Sequence, residues 1–102
     1  MNPLIAKLNV LLTLWHENGR PHFERTCPNL NYNRYYPKTM KIKQRWIYLD
    51  RADSGVFMVD PGTEMVYRVK AYGVPNLRKP VGTVDWLIEE YRSTMVKPYE
   101  YV

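Results

Sequence analysis

The chain has 102 residues, 45% of them hydrophobic and 25% charged, with a formal charge of +5 and a sequence pI near 9.4. That length holds one modest core, read as a single domain over residues 1–102, and the balance excludes a disordered chain. A lone cysteine, Cys27, excludes an internal disulfide and fits a reducing compartment.

Asn2 and Pro3 form a helix start, an N-cap residue followed by a proline whose missing N–H costs nothing there. Leu4, Leu8, Leu11 and Trp15 recur at helical spacing, Ile5 and Leu12 widen the stripe, and Asn18-Gly19 with Pro21 is expected to stop the helix. A stripe this wide suggests that part of it meets a partner, a second copy of the chain included. The apolar run is too short to span a bilayer and lacks the basic lead-in and cleavage site of a signal peptide. An intracellular protein without a membrane segment is expected.

His22–Thr26 reads as a short strand and Cys27–Asn31 as a turn. Met40–Leu49 reads as one extended strand, Asp50–Gly55 as a polar connector and Val56–Val59 as a short apolar strand. Asp60-Pro61-Gly62-Thr63 reads as a strong turn, its Pro and Gly suiting a type II geometry that tolerates positive φ. Met65–Ala71 follows as a strand, and Tyr72–Gly82, with Gly73, Pro75, Pro80 and Gly82, reads as a loop. Thr83 caps a second helix whose Val84, Leu87, Ile88, Tyr91 and Met95 share one face; Pro98 ends it, and Tyr99–Val102 returns as an edge strand.

Strands grouped between two helices predict an α+β fold, a small antiparallel sheet of three to five strands with two packed helices. The expected core is Leu8, Leu11, Trp15, Ile47, Leu49, Phe57, Val59, Met65, Tyr67, Val69, Leu87, Ile88 and Tyr91. Pro-Asn-Leu at 28–30 and again at 75–77 hints at a weak internal duplication.

The chain carries little that points to catalysis. His16-Glu17 opens like a metalloprotease helix, but Arg20 stands where the second histidine is needed, and His22 lies at no ligand spacing from His16. Cys27 has His22 nearby in sequence but no sign of an oxyanion site. Asp50, Asp53, Asp60 and Glu64 sit in connectors and turns, where carboxylates serve the backbone. The five glycines are too scattered for a phosphate loop. The expectation is a non-enzyme with no metal and no cofactor.

The charge is concentrated. Between Arg20 and Arg51 lie eight bases and two acids, whereas residues 52–64 carry only acids. In "NYNRYYPKTMKIKQR", residues 31–45, tyrosines precede alternating cations. On one extended strand, Lys41, Lys43 and Arg45 would project from one face at intervals of about 6.6 Å. Arg68 and Lys70 share a face of the later strand, opposite a core face of Met65, Tyr67, Val69 and Ala71. Two readings follow. A protein or peptide partner could be held at aromatic sheet edges by Tyr32, Tyr35, Tyr36, Trp46, Tyr99 and Tyr101. Alternatively, nucleic acid could be gripped by Lys41, Lys43, Arg45, Arg68 and Lys70, with tyrosines stacking on bases. The stretch Gly55–Val59 lacks the basic-glycine-aromatic-glycine start of an RNA-recognition motif, and the element order differs from that fold. Of the two readings, the partner-binding one is favoured.

The segment "GVFMVDPGTEMVYRVKAYGVPNLRKPVGTVDWL", Gly55–Leu87, resembles small uncharacterised proteins of filamentous viruses of hyperthermophilic archaea in its strand–turn–strand, its Tyr-Gly-x-Pro loop and its Gly-Thr helix start. The aromatic, Ser- and Gln-poor style of the chain is similar, although seven asparagines depart from a heat-adapted composition. The resemblance covers a third of the chain and transfers no catalytic residue. It implies an intracellular viral accessory protein that interacts rather than catalyses.

Overall fold

A computed structural model describes residues 2–93. The elements are α1 (Pro3–Thr26), α2 (Tyr32–Tyr35), β1 (Lys38–Ile42), β2 (Ile47–Arg51), β3 (Ser54–Val59), β4 (Met65–Ala71), β5 (Val74–Thr83) and α3 (Val84–Ser93). The strands form one antiparallel sheet in the order β1-β2-β3-β4-β5, and the fold is α+β. Met95, Pro98 and Tyr99–Val102 lie outside the described residues.

Helix α1 starts as its sequence dictates: the Asn2 side chain accepts the Leu4 N–H at 2.9 Å and Pro3 opens the first turn. It does not stop at Gly19 or Pro21. It continues through both to Thr26, so His22–Thr26 is its last turn and not a strand. An internal proline costs a helix about 3 kcal/mol. Here that turn is braced by Arg20, paired with Glu17 at 2.8 Å and Glu24 at 3.5 Å, and by buried Phe23, packed on Tyr32 and Tyr36. Tertiary packing overrides the local stop signal. The single turn α2, capped by Asn31, is a third helix beyond the two expected.

The expected strand Met40–Leu49 is two strands. β1 and β2 pair with Ile42 opposite Ile47, and Lys43-Gln44-Arg45-Trp46 forms the turn between them, closed by Lys43 N–H on the Trp46 carbonyl at 3.0 Å. That turn contains no Gly, Pro, Asn or Asp, so nothing in its composition marks it. The segment Asp50–Gly55 is strand as well, except for the turn at Ala52-Asp53. The expected loop Tyr72–Gly82 is a two-residue turn, Tyr72-Gly73, with Gly73 at φ 82°, followed by β5. Pro75 and Pro80 are tolerated because β5 lies at the sheet edge, and its ten residues pair with the seven of β4 through register shifts. Gly82, at φ 145°, passes beneath Trp86, where a Cβ would come within 2.6 Å of the indole.

The β3–β4 turn forms where expected, with a different geometry. Gly62 donates to the Asp60 side chain at 2.9 Å, and the left-handed residue is Glu64 at φ 61°, not Gly62. Thr83 caps α3 by accepting the Trp86 N–H at 3.1 Å. Lys7 of α1 pairs with Glu64 and Asp85, joining α1, the start of β4 and α3.

Helices α1 and α3 bury Leu4, Leu8, Leu11, Trp15, Val84, Leu87, Ile88 and Tyr91 against Ile47, Leu49, Phe57, Val59 and Val66. Ile5, Leu12 and Leu14 also pack on this core, so the wide stripe of α1 is largely consumed by the fold. The inner face of β4 carries Val66, and the expected core residues Met65, Tyr67 and Val69 lie on its other face, half-buried. Among the described residues no helix is long and apolar enough to cross a membrane. The two Pro-Asn-Leu tripeptides fall in unlike places, the turn after α1 and strand β5.

The orientation of β4 has a direct test. Val66→Ala should cost about 2 kcal/mol in urea unfolding, since it opens a cavity in the core, and Val69→Ala clearly less. The reverse order would place the core on the other face.

Candidate functional site

Because side chains alternate along a strand, fixing the inner face also fixes the outer one. Residues opposite one another across the sheet form the row Lys41, Tyr48, Met58, Tyr67 and Pro80 on the face away from α1 and α3. Trp46 leans from its turn onto Tyr67, edge to face at 5.7 Å, and Tyr72 meets Tyr48 the same way at 5.5 Å. Met58, opposite Tyr48 on one side and Tyr67 on the other, is buried although it lies on the outer side of the sheet.

Cations lie over these rings. Arg45 sits 4.3 Å from the Trp46 ring centre, Lys41 5.6 Å from that of Tyr72 and Lys43 5.9 Å from that of Tyr48. Lys43 and Arg45 reach this face from the turn, not from a strand. Arg45 also lies 3.5 Å from Asp60, whose carboxyl is held below its usual range chiefly by the Gly62 backbone N–H. Lys41 donates to the Tyr72 hydroxyl at 3.0 Å, and that hydroxyl donates to Asp50 Oδ2 at 3.1 Å. The Tyr72 contact, with Asp50 behind it, raises the Lys41 ammonium above its ordinary value. All three cations are exposed.

The side chains singled out from the sequence divide as follows. Lys41, Lys43, Arg45 and Trp46 come together here. Arg68 does not: it stands opposite Phe57 on the inner side of the sheet. Lys70 is exposed where the pairing of β4 with β5 shifts register, between Val69 and Ala71. The five cations therefore do not share one face, and Lys41, Lys43 and Arg45 are the ones that gather over the rings. Tyr35 and Tyr36 are exposed near α2, whereas Tyr32 is buried and cannot anchor a partner. Tyr99 and Tyr101 lie outside the described residues. Sequence reasoning missed Tyr48, Asp50, Tyr67 and Tyr72, because their shared face depends on the unmarked turn at 43–46. Among the described residues no three His, Cys, Asp or Glu side chains gather as a metal site.

Tyr32 instead organises a second cluster beneath α1. Its ring stacks on His16 at 4.4 Å and its hydroxyl donates to the His16 carbonyl at 2.7 Å. Beside it a cleft of about 270 Å³ is lined by Trp15, Phe23, Tyr36, Lys38 and Arg51 among others. Lys38 donates to His16 Nδ1 at 3.1 Å, so the imidazole carries its proton on Nε2 and donates it to Asn33 Oδ1 at 2.6 Å. Burial holds the His16 pKa below its usual value, and the neighbouring Lys38 and Arg20 charges act in the same direction.

A histidine with a depressed folded pKa binds more protons unfolded than folded, so its contribution is intact above about pH 6.5 and is lost as the pH falls towards its folded value. Urea unfolding at about pH 7.5 and about pH 5 should therefore show lower stability at the acid end, with a smaller difference in His16→Gln.

The chain matches no protein-family model, no curated protein and no solved structure.

Proposed function

We propose that the outer face of the sheet binds single-stranded nucleic acid, without catalysis. The observation that carries this reading is the coincidence of four aromatic rings, Trp46, Tyr48, Tyr67 and Tyr72, with Lys41, Lys43 and Arg45 on one face. Rings stack on unpaired bases whatever their sequence, and cations at the rim meet phosphates. A duplex hides its base faces and offers such a platform much less.

The test is binding to labelled single strands across a salt series. The triple variant Lys41→Ala, Lys43→Ala, Arg45→Ala should weaken binding and flatten the log–log slope by roughly 0.7 for each phosphate no longer neutralised. Arg68→Ala should leave the slope unchanged. Tyr48→Ala should cost about 1–3 kcal/mol of affinity at every salt concentration. Weak binding that ignores all of these variants would rule the platform out.

One observation favours a second reading, a peptide strand added at β1. The ladder bonds link Pro37 to Ala52 and Lys43 to Trp46, which by alternation directs the backbone N–H and C=O of Met40 and Ile42 away from β2. Ile42 is 62% exposed. The other edge, β5, is interrupted by Pro75 and Pro80. Ile42→Pro removes an outward donor and spares the β1–β2 ladder. It should abolish capture of an extended peptide and leave the melting temperature nearly unchanged; peptide binding that survives the substitution would dismiss this edge.

A further inference from the structure

The outer face contains one group that a general stacking platform does not need. Asp50 is 2% exposed, and its Oδ1 has no hydrogen-bond partner. Leaving a buried carboxylate oxygen unsatisfied is costly, and native proteins rarely do so without a use for it. The surroundings of this oxygen are built rather than incidental. The register slips between Leu49 and Asp50, so that Val56 is an extra residue in β3, and such a bulge re-aims the side chain beside it. Gly55 lies opposite Asp50, and a Cβ there would stand 3.0 Å from the Tyr72 ring and 3.7 Å from Asp50 Oδ1. The Tyr72 ring therefore rests directly on the Gly55 backbone, with its hydroxyl on Asp50 Oδ2.

Tyr72 thus occupies the place of a ligand: a planar ring over a glycine, giving one hydrogen bond to a buried carboxylate. It is 53% exposed and belongs to the two-residue turn at Gly73, outside the core. Lys41, 3.5 Å from Oδ2, already supplies a positive charge, so the remaining oxygen calls for a neutral N–H donor and not a second cation.

We propose that Asp50 reads guanine in a bound single strand: the base replaces the Tyr72 ring over Gly55 and donates its N1–H and 2-amino group to the two carboxylate oxygens. Guanine is the base whose Watson–Crick edge has two adjacent donors. Adenine and cytosine set a ring-nitrogen acceptor beside their amino group, and thymine and uracil flank their N–H with carbonyls, so each would turn a lone pair towards a carboxylate oxygen. Displaced from Gly55, Tyr72 is free to stack on the base together with Tyr48. This assignment deepens the single-strand reading and rests on it.

The experiment is fluorescence anisotropy with the whole chain and labelled oligothymidylates of about eight nucleotides, a length within the span of a small sheet platform. The strands carry thymine, adenine, inosine or guanine at one central position. Guanine should bind about tenfold more tightly than adenine or thymine, with inosine, which lacks the 2-amino donor, in between. Asp50→Asn replaces one acceptor oxygen by an amino group, and it should erase the ranking of guanine over inosine and adenine, whatever it does to the affinity common to all strands. Salt-dependent binding of every strand with equal affinity would overturn the Asp50 assignment and leave the platform standing. No binding of any strand at low salt would overturn both. If Asp50→Asn does not fold, the ranking of guanine, inosine and adenine on the unaltered protein decides, because it varies only the donors offered to the carboxylate.

Discussion

Everything on the outer face of this protein depends on the packing of α1 against the inner face of the sheet. Trp15 meets Phe57 edge to face at 5.2 Å, and Leu8 and Leu11 are buried in the same cluster as Leu49, Val59 and Val66. Burying each such side chain contributes roughly 2 kcal/mol, which is enough to hold the strands in register against a one-residue slip. A strand has a period of two, so the same contacts turn Tyr48, Asp50, Met58 and Tyr67 outward together. The strand part of this face is the complement of the core; Lys43, Arg45, Trp46 and Tyr72 join it from turns.

Electrostatics on that face is local. Asp50 and Asp60 lie beside Lys41 and Arg45, so the face carries less net charge than its three cations imply. The cations are held over rings, which pre-arranges them. Part of the basic surplus in the middle of the chain belongs elsewhere. Lys38 donates to His16 and the Tyr32 hydroxyl, and Arg51 lies over Tyr36, where they brace the joint between α1, α2 and the sheet. A run of basic residues in sequence is divided here between two sides of the molecule.

Among the described residues, the two sheet edges differ for a backbone reason. Pro75 and Pro80 remove donors from β5, and its irregular pairing bends it, both of which discourage another strand. β1 keeps its donors and has an exposed lysine, Lys41, and an exposed isoleucine, Ile42. Edge and face are separate surfaces, and substitutions such as Ile42→Pro and Tyr48→Ala act on one without the other.

Local signals in the chain suffice for the fold class, the start of α1, the cap of α3 and the β3–β4 hairpin. Those signals are Asn2-Pro3, Thr83 before an apolar stripe, and Asp60-Pro61-Gly62 between apolar runs. Residue type and alternation also pick out Lys41, Lys43, Arg45 and Trp46. Where α1 ends is a matter of long-range packing, because Phe23 buried against Tyr32 and Tyr36, together with Arg20 paired to Glu17 and Glu24, holds the helix through the proline. That Tyr72–Gly82 holds a strand is another, because at the sheet edge a proline is tolerated where a central strand would reject it. The inner face of β4 is a third. Tyr-Arg-Val-Lys alternates equally well either way round, and only contact with α1 and α3 selects Val66. For the same reason the union of Tyr48, Asp50, Tyr67 and Tyr72 on one face is invisible in spacing: it depends on a turn with no turn residues and on pairings between strands that are distant in the chain.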